Sequence, residues 1–229
     1  MLKLSAFLLL LVLINLSEQK IRITILYESL CPDSSKFINE QLAPCYDSIK
    51  DNVDIEFVPY GKATHKNTTA GFKFECQHGP RECELNIHHA CGIKYASSDS
   101  QKVKFVNCMM REATENNGNN AVTTCTKQTG ISFDNVSRCY SGKEGQTLHA
   151  GHGDRTETFA PSFIPTILFN NTFDQYNQDR ALNNLCSLVN ELCLREAYKQ
   201  LTYYNCNNYC CNCIPYNYQY NYPYGYYYG

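Results

Sequence analysis

IRITILYESLCPDS, residues 21–34, is the stretch on which the reading of this chain turns. From Ile21 to Tyr27 the apolar and β-branched residues run almost without interruption, the pattern of a strand buried on both faces. The run ends at Cys31-Pro32-Asp33-Ser34, after which Phe37, Ile38 and Leu42 recur at helical spacing until Pro44, where the helix is expected to stop. A cysteine between a buried strand and the first turn of a helix lies where unpaired N–H groups and the helix dipole stabilise an anion. The thiolate is the form that attacks a disulfide, so this placement makes Cys31 a candidate nucleophile. Pro32 suits the first helical position, because its missing N–H would have had no partner there.

Downstream, Val53 to Val58 reads as a second strand closed by Pro59-Tyr60-Gly61, and strand–helix–strand predicts a parallel pair. From Phe74 to about Arg138 the chain is dense in cysteine, with helical spacing around Glu82–Tyr95 and Lys102–Glu112, which predicts a helical insertion over residues 74–138. A Gly-rich segment, His149 to Asp154, follows. SFIPTILFN, from Ser162, then supplies a third strand entered through Ile164-Pro165. That peptide bond is expected to be cis, because a strand–Cys-Pro-x-Ser–helix unit followed by a distant Ile-Pro-Thr strand is the arrangement in which a cis proline faces an active cysteine; otherwise cis is the minority isomer. A last helix is predicted from about Asp179 to Lys199, with Leu182, Leu185, Leu188, Val189 and Leu192 on one stripe.

The ends of the chain differ from its middle. Residues 1–17 carry an early Lys3 and a short apolar run, the form of a cleavable secretory signal. No later apolar stretch reaches the length of a membrane span, so a soluble product of residues 18 onward is expected, organised as one domain over 18–200. Residues 201–229 form a Cys/Tyr/Asn-rich tail with no core-forming pattern. A formal charge of −2 and a pI near 6.3 give no basic field, which sets aside nucleic-acid and membrane-surface partners.

Fourteen cysteines in a secreted chain read as a disulfide framework. Sequons at Asn67, Asn135 and Asn170 fit the same route and predict surface positions. His78, His88 and His89 lie among Cys76, Cys83 and Cys91, but the spacing suits disulfides better than zinc in an oxidising compartment, so no metal is expected. The tail cysteines Cys206, Cys210, Cys211 and Cys213 are dense enough to suit copper(I) or zinc, though disulfides or intermolecular crosslinks are the expected state there.

Three segments resemble one known family. YESLCPDS (27–34), VPYGKA (58–63) and above all CQHGPRECELNIHHAC (76–91) are similar to the gamma-interferon-inducible lysosomal thiol reductases, whose C-Q-H-G-x-x-E-C-x-x-N-x(4)-C pattern is matched by Cys76, Gln77, His78, Gly79, Glu82, Cys83, Asn86 and Cys91. The resemblance spans about Ile21 to Cys193. It implies an α/β, thioredoxin-like fold with a cysteine-rich helical insertion, and a secreted or lysosomal protein that reduces disulfides of protein substrates. The motif residues are expected to be structural, with Gln77, His78 and Gly79 forming a turn.

One departure matters. The family's Cys-x-x-Cys is Cys-x-x-Ser here, and without a second cysteine at Ser34 the usual intramolecular release of a mixed disulfide is lost. Three outcomes stay open: resolution by an external thiol such as cysteine or glutathione, resolution by another cysteine of the protein, or substrate holding without turnover, which would make the chain a binding protein on the same fold. The first is preferred, with no bound cofactor, Cys31 as nucleophile, Pro165 shaping the substrate groove, and Ser34 donating a hydrogen bond to the thiolate. Cys45, at the far end of a helix of about 18 Å, is too distant to pair with Cys31.

Overall fold

The computed structural model describes residues 20–208 apart from 70, 117 and 119, and apart from the side chains of residue 116 and residues 200–208. The expected signal segment, the tyrosine-rich end and the side chains of all four tail cysteines lie outside the described residues.

The core is a three-stranded sheet of order β2-β1-β5. β1 (Ile21–Tyr27) is central: it pairs in parallel with β2 (Val53–Pro59) from Ile21↔Val53 to Tyr27↔Pro59, and antiparallel with β5 (Thr166–Phe169) from Ile23↔Phe169 to Leu26↔Thr166. Being covered on both sides explains why β1 reads as a continuous apolar run: only Arg22 is exposed along it. Thr24, its one buried polar residue, donates to Glu56 Oε2 at 2.7 Å, and Arg155 grips the same carboxylate at 2.9 and 2.8 Å. β5 is shorter than expected. It begins only after Pro165, so Ser162–Ile164 form the approach to the strand and not the strand itself.

The helix after Cys31 does not stop at Pro44. It passes from α1 (Pro32–Lys36) through a π-helical segment (Phe37–Leu42) into α2 (Ala43–Ile49). Pro44 cannot donate to the preceding turn and would crowd the carbonyl of Glu40 in a regular α-helix. The wider turn, in which the Ala43 N–H reaches the Ile38 carbonyl five residues back, accommodates it. The face carrying Phe37, Ile38, Leu42 and Ile49 then stays buried throughout.

Between β2 and β5 come a two-stranded antiparallel pair, β3 (Thr64–Thr68) with β4 (Gly71–Glu75), and five helices: α3 (Pro80–Tyr95), α4 (Asp99–Asn116), α5 (Ala121–Thr129), α6 (Phe133–Ser141) and α7 (Lys143–Glu157). The helical part therefore extends to Glu157, beyond the 138 expected from cysteine density. The Gly-rich His149–Asp154 stretch lies within helix α7. A Cβ at Gly153 would meet the Tyr60 ring at 2.7 Å, so glycine is there for close packing and not for a turn.

Gly92 in α3 is a similar case: a Cβ there would lie 2.0 Å from Cε1 of Phe105, itself wholly buried in α4. Gly92→Ala gains helix propensity but forces the α3–α4 contact apart. A net loss of about 2–3 kcal/mol in urea unfolding is expected.

Four disulfides staple this frame: Cys45–Cys186, Cys76–Cys83, Cys91–Cys139 and Cys108–Cys125. The chain divides into two units between Leu192 and Cys193, earlier than the expected 200, and all four bridges fall in the first. The last helix, α8 (Gln175–Asn208), departs from helical geometry at Asn184, whose Oδ1 accepts the Ser187 N–H at 3.1 Å as a cap for the part that follows. No helix among the described residues is long and apolar enough to cross a membrane.

Candidate active site

The end of β1 delivers the chain into a tight turn, closed by a 3.3 Å hydrogen bond from the Cys31 N–H to the Glu28 carbonyl, and Cys31 emerges as the N-cap of α1. Its extended backbone and the 3.0 Å bond from Ser35 N–H to its own carbonyl start the helix, with Pro32 in the first turn as expected. Cys31 is 7% exposed and takes no part in a disulfide. Its thiol faces the Ile164 carbonyl at 3.8 Å, a long, weak contact across 133 residues of sequence.

Ile164-Pro165 is a cis peptide. Buried Gln178 of α8 holds it from behind, donating to the Pro165 carbonyl at 3.0 Å and accepting the Ile167 N–H at 2.8 Å. Two concavities flank the pair. One, of about 460 Å³, is lined by Ser29, Leu30, Cys31, Lys36, Asn39 and Thr114; the other, of about 450 Å³, by Phe37, Phe163, Pro165, Gln178 and Leu182 among others. Cys31 thus lines the first concavity and cis Pro165 the second.

Ser34 is brought beside this turn but not into the expected contact. Fully buried, its Oγ accepts the Glu28 N–H at 3.4 Å, and no hydrogen bond joins it to Cys31. The hydroxyl thus meets the backbone of the residue that follows β1.

The CQHG-type motif braces the turn from the other side. Cys76–Cys83 closes a loop in which Gly79, at φ +87°, caps α3, a backbone angle that disfavours any side chain. Asn86 accepts the Ser29 N–H at 2.9 Å, and the Ser29 hydroxyl donates to the Glu82 carbonyl at 3.2 Å, so the residues immediately before Cys31 are fastened to α3. Cys91 anchors the far end of that helix to Cys139 of α6. Gln77 is exposed and makes none of these bonds.

Glu28 was not visible as a site residue from sequence, yet it is fully buried three residues before the cysteine. Its Oε1 accepts the Lys62 N–H at 2.7 Å, and its Oε2 lies 3.3 Å from His78 Nδ1. Burial raises its pKa above the ordinary carboxylate range, the Lys62 hydrogen bond opposes this, and neighbouring Glu82 adds to it. The only signal in the sequence is a charged residue wedged between a buried strand and the Cys-Pro that starts a helix. Gly61, at φ +61°, leaves the room it occupies: a Cβ there would fall 2.2 Å from Glu28 Cγ.

Residues 22–129 match the family described as gamma interferon inducible lysosomal thiol reductase (GILT). The chain is 36% identical over 188 residues to GILT-like protein 1 of Drosophila melanogaster, covering 76% of this chain and 75% of that one. The chain belongs to the GILT family. The gamma-interferon-inducible lysosomal thiol reductase of Carassius auratus is a further relative, 31% identical over 176 residues, 74% of this chain and 67% of that one. Among solved structures, the oxidoreductase DsbA from Xylella fastidiosa superposes with a TM-score of 0.52 over 78% of this chain and 87% of its own at 14% identity, which identifies the fold as thioredoxin-like.

GILT membership places the chemistry in the thiol–disulfide oxidoreductase class. Of the three expected glycan acceptors, Asn67 lies exposed in β3, and Asn170 is exposed in a turn, its Oδ1 accepting the Arg22 N–H at 2.9 Å. Asn135 is half-buried in the first turn of α6, where it accepts from Arg138 at 2.5 Å, so it is helix and not the expected loop.

Proposed function

We propose that this chain reduces disulfides of protein substrates through Cys31 alone, with an external thiol, cysteine or glutathione, completing each turnover. The observation that carries this reading is the unpaired Cys31 thiol at the start of α1, facing the carbonyl before cis Pro165, with a buried serine one helical turn on.

In the first step the Cys31 thiolate attacks one sulfur of a substrate disulfide, forming the mixed disulfide and releasing the second substrate sulfur as a thiolate, which takes a proton from solvent. An external thiolate then attacks the Cys31 sulfur and expels the remaining substrate thiolate. A second equivalent restores Cys31 and leaves as the oxidised external thiol. Pro165 and the two flanking concavities present the substrate backbone, and Ser34 keeps the turn in place through Glu28. The CQHG-type residues, Cys76 to Cys91, support the same turn. Four disulfides and three sequons fit a secreted or lysosomal location.

The test is turnover of a disulfide-bonded protein with excess cysteine at pH 4.5 and 7. Wild type should turn over at a rate proportional to cysteine concentration, and Cys31→Ser should fall to the uncatalysed rate. Equal rates for the two would refute the enzyme reading and leave a binding protein on this fold. Mass spectrometry after alkylation reports the adduct directly, at Cys31 in wild type only.

A further inference from the structure

Two buried carboxylates converge on one imidazole nitrogen beside the Cys31 turn. Glu28 and Glu82 are both fully buried. One oxygen of each is already engaged: Glu28 Oε1 by the Lys62 N–H at 2.7 Å, Glu82 Oε1 by the His78 N–H at 3.1 Å. The other oxygen of each faces His78 Nδ1, Glu82 Oε2 at 2.6 Å and Glu28 Oε2 at 3.3 Å, and the three atoms lie within 4.8 Å of one another. Nδ1 carries at most one proton, which serves the nearer oxygen. Glu28 Oε2 is left buried without a hydrogen-bond partner.

The charge does not balance either. Two carboxylates face a single imidazole, and the Lys62 ammonium is turned away to the Ser162 carbonyl. Uncompensated buried charge costs several kcal/mol, so such clusters are paired, protonated or metal-bound. A dication with a neutral imidazole and two carboxylates sums to zero.

We propose that Glu28, His78 and Glu82 form a binding site for one divalent transition-metal ion of the zinc class. One imidazole nitrogen and two carboxylate oxygens are a donor set zinc takes readily, at metal–ligand distances of about 2.0–2.2 Å, which place neighbouring ligand atoms roughly 3.3 Å apart. The Glu28–His78 separation already has that value, and His78, exposed on its loop, has freedom to open the shorter Glu82 contact. Its exposure also leaves a fourth position for water. The cysteines that a zinc reading of the sequence would recruit, Cys76, Cys83 and Cys91, are all in disulfides, so this site uses oxygen where the sequence suggested sulfur. The ion joins the turn before Cys31 to the loop closed by Cys76–Cys83. It takes no part in thiol exchange, and the proposal is independent of how Cys31 is resolved.

The test titrates the full-length Cys31→Ser protein with Co²⁺ without reductant. The expected result is one equivalent of cobalt with visible d–d bands, no thiolate-to-cobalt charge-transfer band, displacement by Zn²⁺, and loss of that signal in Glu28→Gln with the far-UV circular dichroism retained. Absence of saturable binding, a spectrum carrying only thiolate charge-transfer bands from the tail cysteines, or an unchanged thiolate-free spectrum in Glu28→Gln overturns the proposal. If Glu28→Gln fails to fold, His78→Gln, an exposed substitution, gives the same decision.

Discussion

A Ser34→Cys variant should release its substrate adducts without external thiol, on the order of 10³-fold faster than wild type at millimolar cysteine. Positions 31 and 34 are one helical turn apart on the same face of α1, so a thiol at 34 attacks the Cys31 sulfur intramolecularly. Well-placed intramolecular groups act at effective concentrations far above the millimolar range, and the factor assigned here uses only about 1 M of it. Ser34 is buried and makes one long hydrogen bond, 3.4 Å to the Glu28 N–H, so exchanging oxygen for the larger sulfur should cost only about 1 kcal/mol of stability. The measurement is decay of an acid-trapped mixed disulfide against cysteine concentration. Wild type should give a line through the origin and Ser34→Cys a rate independent of cysteine. A wild-type rate independent of external thiol would mean that another cysteine of the protein resolves the adduct. The Cys45 sulfur, bonded to Cys186, is not available for that.

How far the sequence leads depends on whether a residue's partners are local. β1, the start of α1 and the helix α3 were legible because each is specified by its own pattern: a continuous apolar run, a Cys-Pro at a helix start, a motif of fixed spacing. The cis peptide before Pro165 was legible only through the fold, since Ile164-Pro165 carries no signal of its own. Pro44 misled because proline normally ends a helix, and nothing in FINEQL announces a π turn. Residues 149–154 carried no element assignment, because glycines obscure helical spacing; Gly153 is small because Tyr60 of another segment lies against it. β3 was missed since THKNT is largely exposed and carries no apolar alternation. Glu28 escaped because its environment, Gly61, Lys62, His78 and Glu82, is assembled from three separate stretches. Ser34 differs from expectation for the same reason, since its hydroxyl accepts the Glu28 N–H, a group from before its own helix.

Acid should weaken this fold markedly above pH 4.5 through four imidazoles whose pKa values burial lowers, His88 and His152 to about 4 and, lowest of all, His89 and His149. His89 is fully buried, its Nδ1 2.9 Å from the Tyr27 hydroxyl and its Nε2 without a partner; burial, with a smaller push from His88, brings its pKa down to about 3. His149, also fully buried, donates from Nδ1 to the Pro59 carbonyl at 3.2 Å between the Tyr60 and Phe74 rings, and burial again brings it to about 3. In the unfolded chain both titrate near 6.5. Between about pH 6.5 and 3 the unfolded state therefore binds more protons, so stability falls as pH falls through that window. At pH 4.5 each imidazole costs about 2–3 kcal/mol relative to pH 7, roughly 5 kcal/mol for the pair, which is comparable with the whole stability of many domains. Without a bound metal ion Glu28 works the other way, since its raised pKa lets the fold take up a proton first and gain stability as the pH drops. Urea midpoints at pH 7 and 4.5 should differ accordingly, and His149→Asn, which keeps a donor for the Pro59 carbonyl but does not titrate, should remove about a quarter of the difference even if it lowers stability at pH 7. Equal midpoints at the two pH values would show that these imidazoles take up protons in the fold as readily as in the unfolded chain. A protein with this liability survives acid only if something else limits unfolding. The disulfides supply that here: Cys91–Cys139 and Cys45–Cys186 close long loops, each worth about 3–5 kcal/mol in a chain-entropy account, and that contribution does not change with pH. Mild reduction should therefore destabilise the protein far more visibly at pH 4.5, where the histidines have already removed the margin, than at pH 7.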